Sequence, residues 1–323
     1  MSWPASLAGS PAIAVIERAI SRNRLAHSIL LHGDDGETLG AIALAIADRL
    51  LNPPGAAGRR DVAAGHHPDC FHLRPVGKMR VITADGTREL IAGVQMTPSV
   101  GAWKVAIIHD ADRMNAHAAN IFLKTLEEPP ARTVLLLLTT HPYVLLPTIR
   151  SRCLHFRFPS ATLGGSSAVA AEGWGAWLDD YAAWLGRLVE GGAAKGAAAD
   201  YVMTLYGLVA RFGAILDQAV ARSWESQKAA LPPDLEEDEQ VAIETGLLNG
   251  WRTRLFAEIE HATRAFARPR FSGEEPAGQR AFAAAIERLE HVVRLLRLNL
   301  NESAALEDFL LGSLRLWSRP ARR

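Results

Sequence analysis

Five short apolar runs punctuate the first half of the chain: Ser28 to His32, Cys70 to Leu73, Val105 to His109, Val134 to Thr139 and Leu154 to Phe158. Each has strand length, and longer amphipathic stretches separate them. This alternation leaves few folding solutions, because parallel strands need long crossovers and a cover on both faces. It predicts an α/β fold with a parallel sheet. The clearest helix begins at an Asn115 cap and carries Ala118, Ile121, Phe122 and Leu126 at helical spacing. Pro129-Pro130 stops it, so it feeds the strand that begins near Thr133.

From Pro159 the texture changes, with Gly, Ala, Ser and Trp dominating to about Asp200 and no strand-like runs. Beyond that the chain reads as all-helical, over Tyr201 to Trp224, Asp238 to Phe266, Arg280 to Leu300 and Ser303 to Trp317. Pro232-Pro233 and the loop from Phe271 to Gly278 interrupt it. The predicted domains are therefore 1–159, 160–200 and 201–323. Apolar positions such as Ile286, Leu289, Leu296, Leu306 and Phe309 suit either a bundle core within one chain or packing against other subunits, and periodicity alone leaves both open.

Composition narrows the function classes. Thirty-five Lys and Arg balance 35 Asp and Glu, which argues against wrapping nucleic acid with the whole surface. Two cysteines, Cys70 and Cys153, exclude a disulfide framework and are too few for a cysteine-only zinc site, so a reducing cytoplasm is expected. The first residues carry no leader pattern, and no uncharged apolar run elsewhere is long enough for a bilayer, so no membrane attachment is expected.

After the first strand the sequence reads Gly33-Asp34-Asp35-Gly36-Glu37-Thr38-Leu39-Gly40 and then enters an apolar helix, the strand, turn and helix layout of a phosphate-binding loop. The chemistry does not match the layout. Leu39 and Gly40 stand where a lysine would reach the phosphates and a hydroxyl would ligate Mg²⁺. Asp34, Asp35 and Glu37 put carboxylates where a polyphosphate would sit. At the end of the third strand an active NTPase carries Asp-Glu, for magnesium and for polarising water; here the pair is His109-Asp110. Asp112 is expected to cap a helix start rather than to replace the missing acid.

The run Asn120-Ile121-Phe122-Leu123-Lys124-Thr125-Leu126-Glu127-Glu128-Pro129-Pro130, with Ser151-Arg152-Cys153 downstream, resembles the clamp-loader subunits of the bacterial replicative polymerase, an AAA+ family. Arg24-Leu25-Ala26-His27, His67-Pro68-Asp69 and Lys104-Val105 extend the likeness over most of Arg24 to Phe158. It is greatest to the delta-prime branch, whose ATP site is typically degenerate, whereas the tau and gamma branches keep the lysine and the Asp-Glu pair. The resemblance implies an AAA+ module, a small helical lid and an all-α collar, in a ring with tau/gamma ATPase subunits and a delta subunit. That ring places a sliding clamp on primer-template DNA during replication. It also implies that Arg152 is an arginine finger, acting in trans on ATP held by a neighbour, where a planar cation neutralises charge on the transferred phosphoryl group. Arg150 is read as structural, Ser151 as orienting the turn, and Cys153 as a small apolar residue.

The family's cysteine-ligated zinc module has no counterpart in Leu51 to Gly65, so no structural zinc is expected, nor ATP, nor Mg²⁺. His66, His67, Cys70 and His72 offer zinc-type ligands, but residues alternating along a strand do not converge. For a nucleotide-sensing arginine in the lid there is no clear match; Lys195 is the weak candidate. Two other readings stay open. An active NTPase with an unorthodox loop would need Lys78, Arg80 or Arg88 to replace the lysine, and a DNA-binding adaptor would use Arg59, Arg60, Lys78 and Arg80 as phosphate contacts.

Overall fold

Strand residues point alternately to opposite sides, and in this chain both sides are apolar, so the sheet must be covered twice. The computed structural model describes residues 3–4, 7, 9–53, 60–62, 67–158, 171–191, 197–228, 231, 235–271, 276–296 and 301–317. It forms two units, one of residues 1–166 with 226–245, the other of 167–225 with 246–323. Expectations placed on Arg59, His66, Pro159, Lys195, Pro232-Pro233 and Leu300 lie outside the described residues.

The first unit holds β1 (Ser28–Gly33), β2 (Cys70–Leu73), β3 (Lys104–Ile108), β4 (Thr133–Thr139) and β5 (Leu154–Phe158), all parallel in the order β2-β3-β4-β1-β5. Ile29, Leu31, Val105, Ile107, Val134 and Leu136 face one way, into a core shared with α1 (Pro11–Ser21) and α2 (Gly36–Leu51). Leu30, Ala106, Ile108, Leu135 and Leu137 face the other way, toward α3 (Ala84–Gln95), α4 (Ala116–Glu127) and α5 (Pro147–Arg150). Each fully buried leucine or isoleucine contributes about 1.5–3 kcal/mol. The predicted strands recur within a residue or so. α4 starts at the expected Asn115, whose side chain accepts from the Ala118 N–H at 2.8 Å.

The second unit holds α6 (Trp174–Gly191), most of α7 (Ala197–Lys228) and of α8 (Glu237–Arg270), α9 (Pro276–Leu296) and α10 (Glu302–Trp317). The segments read from the sequence as lid and collar share one core here. It is organised on an α6 ladder in which Trp174 stacks on Trp177 at 4.8 Å and Trp177 on Tyr181 at 5.5 Å. Their polar tips are satisfied: Trp177 Nε1 donates to the Leu208 carbonyl at 2.8 Å and Trp184 Nε1 to that of Tyr201 at 3.1 Å. By length and composition α7 is apolar enough to cross a membrane, with a window of mean hydropathy 1.2. Leu205, Leu208, Phe212 and Leu216 on that helix are buried in the core of this unit.

A self-capped phosphate loop and an arginine at the opposite edge

In a parallel sheet the carboxyl ends of all strands lie on one edge, where ligands of such folds bind. The Gly33 loop, the His109-Asp110 pair and Thr139 all sit there. Gly33 ends β1, and its role is set by pairing: a Cβ there would lie 2.1 Å from the Phe158 carbonyl oxygen of β5. At Gly36 and Gly40 a Cβ would meet nothing within 4 Å, so packing does not demand glycine at either.

Asp35 is the N-cap of α2, with extended backbone, and its carboxylate accepts from the Glu37 N–H at 3.1 Å and the Thr38 N–H at 3.2 Å. The Thr38 hydroxyl donates to the same carboxylate. Those first-turn N–H groups are the donors a phosphate would use. Here a side chain of the chain itself fills them, which is more specific than the general repulsion expected from an acidic loop. Leu39 is 1 % exposed and packs in the core with Ile42 and Phe158. The position that would hold a phosphate-seeking ammonium is thus an apolar anchor.

At the second half of the site, His109 turns toward β2. Its Nε2 lies 3.1 Å from His72 Nδ1, the rings stack at 5.4 Å, and His72 Nε2 lies 3.6 Å from Cys70 Sγ. Burial pushes both imidazoles down, His72 to about 3, so both are neutral at pH 7; burial also raises the Cys70 thiol to about 12. Asp110 has φ of 45°, a left-handed conformation that aspartate tolerates better than most residues. Its carboxylate pairs with Arg80 Nη2 at 2.7 Å, and Arg80 Nε donates to the Ala242 carbonyl at 3.1 Å. Burial raises the Asp110 carboxyl and Arg80 opposes the rise. Arg80 is thus paired with Asp110, and Arg88 with Asp85 at 2.5 Å.

Asp112 departs from the expectation of a cap. It lies inside the 3₁₀ turn Ala111–Arg113 and accepts from the Thr139 hydroxyl at 2.5 Å, because the turn swings its side chain toward the end of β4. Of the zinc-type ligands, His67 Nδ1 accepts from the Asp69 N–H at 3.2 Å. Among the described residues no three His, Cys, Asp or Glu side chains form a metal-binding group.

Sequence reasoning missed the work of Asp69 and Lys104. The Asp69 carboxylate accepts from the N–H groups of Ser99, Val100 and Gly101 at 2.5, 2.9 and 3.2 Å. Burial alone would raise that carboxyl, but the three donors outweigh it and hold it below the usual range. Buried Lys104 donates to the Val94 and Met96 carbonyls, so together they fix the loop that enters β3. The His-Pro-Asp run was the visible signal; what it holds was not.

The Ser151-Arg152-Cys153 turn lies at the other edge of the sheet. It follows α5 and precedes β5, whose Leu154 is level with Ile29 near the start of β1. Four strand residues, roughly 13 Å, separate that level from Gly33 at the loop. Arg152 is exposed and held by Glu127, the last residue of α4, at 2.8 Å through Nε and 2.5 Å through Nη2; its Nη1 donates to the Thr148 carbonyl at 2.9 Å. Arg150 lies over the exposed Tyr143 ring at 5.2 Å, and the Ser151 hydroxyl donates to the Thr148 carbonyl at 3.1 Å. Cys153 packs against the α4 side of the core, and burial pushes its thiol up to about 12. Lys124 is exposed, while Thr125 and Leu126 are buried beside it in the last turns of α4. Glu128 is the C-cap, and Pro129-Pro130 follow it.

Residues 9–162 match the family model described as DNA polymerase III, delta subunit. Over 148 residues the chain is 42% identical to the DNA polymerase III subunit delta' of Pseudomonas aeruginosa, covering 43% of this chain and 44% of that one. Over 142 residues it is 36% identical to the subunit delta' of Escherichia coli, covering 41% and 42%. Over 152 residues it is 33% identical to the subunit tau of Salmonella typhimurium, covering 45% and 23%. Each match spans less than half of the relative's own length. The matched region takes in the whole five-stranded sheet, the self-capped loop and the Arg152 turn. Over residues 9–162 the chain is similar to the DNA polymerase III delta subunit family.

Proposed function

We propose that this chain is a non-hydrolysing, delta-prime-type subunit of the bacterial clamp loader, a component of the DNA polymerase III holoenzyme. It completes a cytoplasmic ring with tau/gamma ATPase subunits and a delta subunit, and through that ring serves the loading of the sliding clamp on primed DNA. Its own loop takes no ATP and no Mg²⁺, and the chain carries no structural zinc. Arg152 acts on ATP bound by the neighbouring subunit.

The observation that carries this reading is the separation of Arg152 from its own loop by the height of the sheet. An arginine at the amino edge does not serve phosphates at the carboxyl edge of the same sheet, but it faces outward to a neighbour. Support comes from the first-turn donors of α2, already filled by Asp35, and from Leu39, packed in the core. The Arg80–Asp110 pair further occupies the acid that would polarise water.

The test is nucleotide binding by the isolated chain together with ATP turnover of the reconstituted ring. No binding of Mg-ATP is expected for the isolated chain. The ring with Arg152→Ala is expected to assemble but to lose clamp- and DNA-stimulated turnover by roughly a thousandfold at the neighbouring site. Hydrolysis by the isolated chain would restore the active-NTPase reading. Salt-dependent DNA affinity of the isolated chain, with ring turnover unaffected by Arg152→Ala, would favour the adaptor reading.

A further inference from the structure

The guanidinium of Arg152 is not left to wander. Among the described residues it is gripped along one side, with Glu127 Oε1 taking Nε at 2.8 Å and Nη2 at 2.5 Å and the Thr148 carbonyl taking Nη1 at 2.9 Å. An arginine has five N–H groups; the two hydrogen bonds, from Nε and Nη1, leave donors on both terminal nitrogens. Remaining donors on a planar cation are what a grip on phosphoryl oxygens requires. The anchors are themselves fixed. Glu127 ends α4, whose Phe122 and Leu126 are buried, and Thr148 belongs to α5, whose Ile149 is fully buried.

We infer that Glu127 is a positioning residue for Arg152: it holds the exposed guanidinium in one orientation while donors on its terminal nitrogens remain for the triphosphate of the neighbouring subunit. This rests on the donated-finger reading and assigns a role to the first glutamate of the Leu-Glu-Glu-Pro-Pro run. Exposed ion pairs add little stability, about 0–1 kcal/mol, so the value of this one lies in orientation. Holding a reacting group in place lowers the entropic part of a barrier, and this appears in kcat rather than in substrate affinity.

The experiment compares ring ATPase kinetics for wild type, Glu127→Gln, Arg152→Ala and the double variant. Glu127→Gln is expected to lower kcat about three- to tenfold, with KM for ATP, ring assembly and the melting temperature of the chain unchanged. The double variant is expected to match Arg152→Ala alone, since Glu127 acts only through that arginine. Wild-type or faster turnover in Glu127→Gln overturns the positioning role while leaving the finger intact if Arg152→Ala is still impaired. A double variant slower than Arg152→Ala overturns it too, because Glu127 would then act by another route. Full turnover in Arg152→Ala overturns the finger reading, and the positioning role with it.

Discussion

At the residue scale, several side chains that look like relics of nucleotide chemistry have structural employment. Asp35 caps α2, Leu39 fills the core, Gly33 permits the approach of β5, and Asp110 pairs with Arg80. His109 joins His72 in a buried neutral pair, and this has a measurable consequence. An unfolded histidine titrates near about 6.5, while His72 in the fold titrates at about 3. Below pH 6.5 the unfolded chain therefore binds more protons than the folded one, so the contribution is complete above that pH and is lost as the pH falls toward the folded value. Asp69, with its depressed carboxyl, adds a loss of the same sign at lower pH. Between pH 7.5 and 4.5 the wild type is expected to lose roughly 2 kcal/mol more stability than His72→Gln. Urea midpoints at the two pH values check this, and parallel losses in both proteins would refute it.

The short helix α5 shows what an element of four residues contributes. Pro147 sits in its first turn, Ile149 anchors it against the α4 side of the sheet, and the turn after it presents Arg152. Local propensity does not hold so brief a helix, since nucleation is unfavourable without tertiary packing. The buried isoleucine provides that packing. Ile149→Ala is expected to cost about 2–5 kcal/mol, through lost transfer energy and the cavity left behind. Denaturant melts measure the loss, and a change under 0.5 kcal/mol would show that α5 is held by something else. The motif around Arg152 was legible because its residues are fixed in type and order. Its partnership with Glu127 was not, because 25 residues separate the two and only the meeting of α4 with α5 joins them.

On the scale of the whole molecule, two units with separate cores carry very different reporters. Trp174, Trp177, Trp184, Trp224, Trp251 and Trp317 lie in the second unit, whereas Trp3 and Trp103 lie in the first, which also holds the sheet. Tryptophan emission thus follows mainly the helical unit, while far-ultraviolet circular dichroism follows both. Denaturant transitions seen by the two probes are expected to differ in midpoint, since each unit has its own core and can unfold by itself. Coincident curves would mean that the units unfold as one.

Alternation of apolar runs with amphipathic stretches determined the parallel sheet by itself, because period and length limit what short buried strands can do. Residue identity likewise settled that the loop lacks its lysine and the third strand its Asp-Glu pair. Only the tertiary structure decided what replaced them. The carboxylate that caps α2 depends on backbone angles at Asp35, and the arginine that claims Asp110 arrives from a turn 30 residues earlier. The parallel pairing of β5 with β1, Leu154 level with Ile29, put Arg152 at the opposite edge from the loop. These outcomes depend on which distant segments meet, and sequence pattern constrains each segment's own form more tightly than its partners.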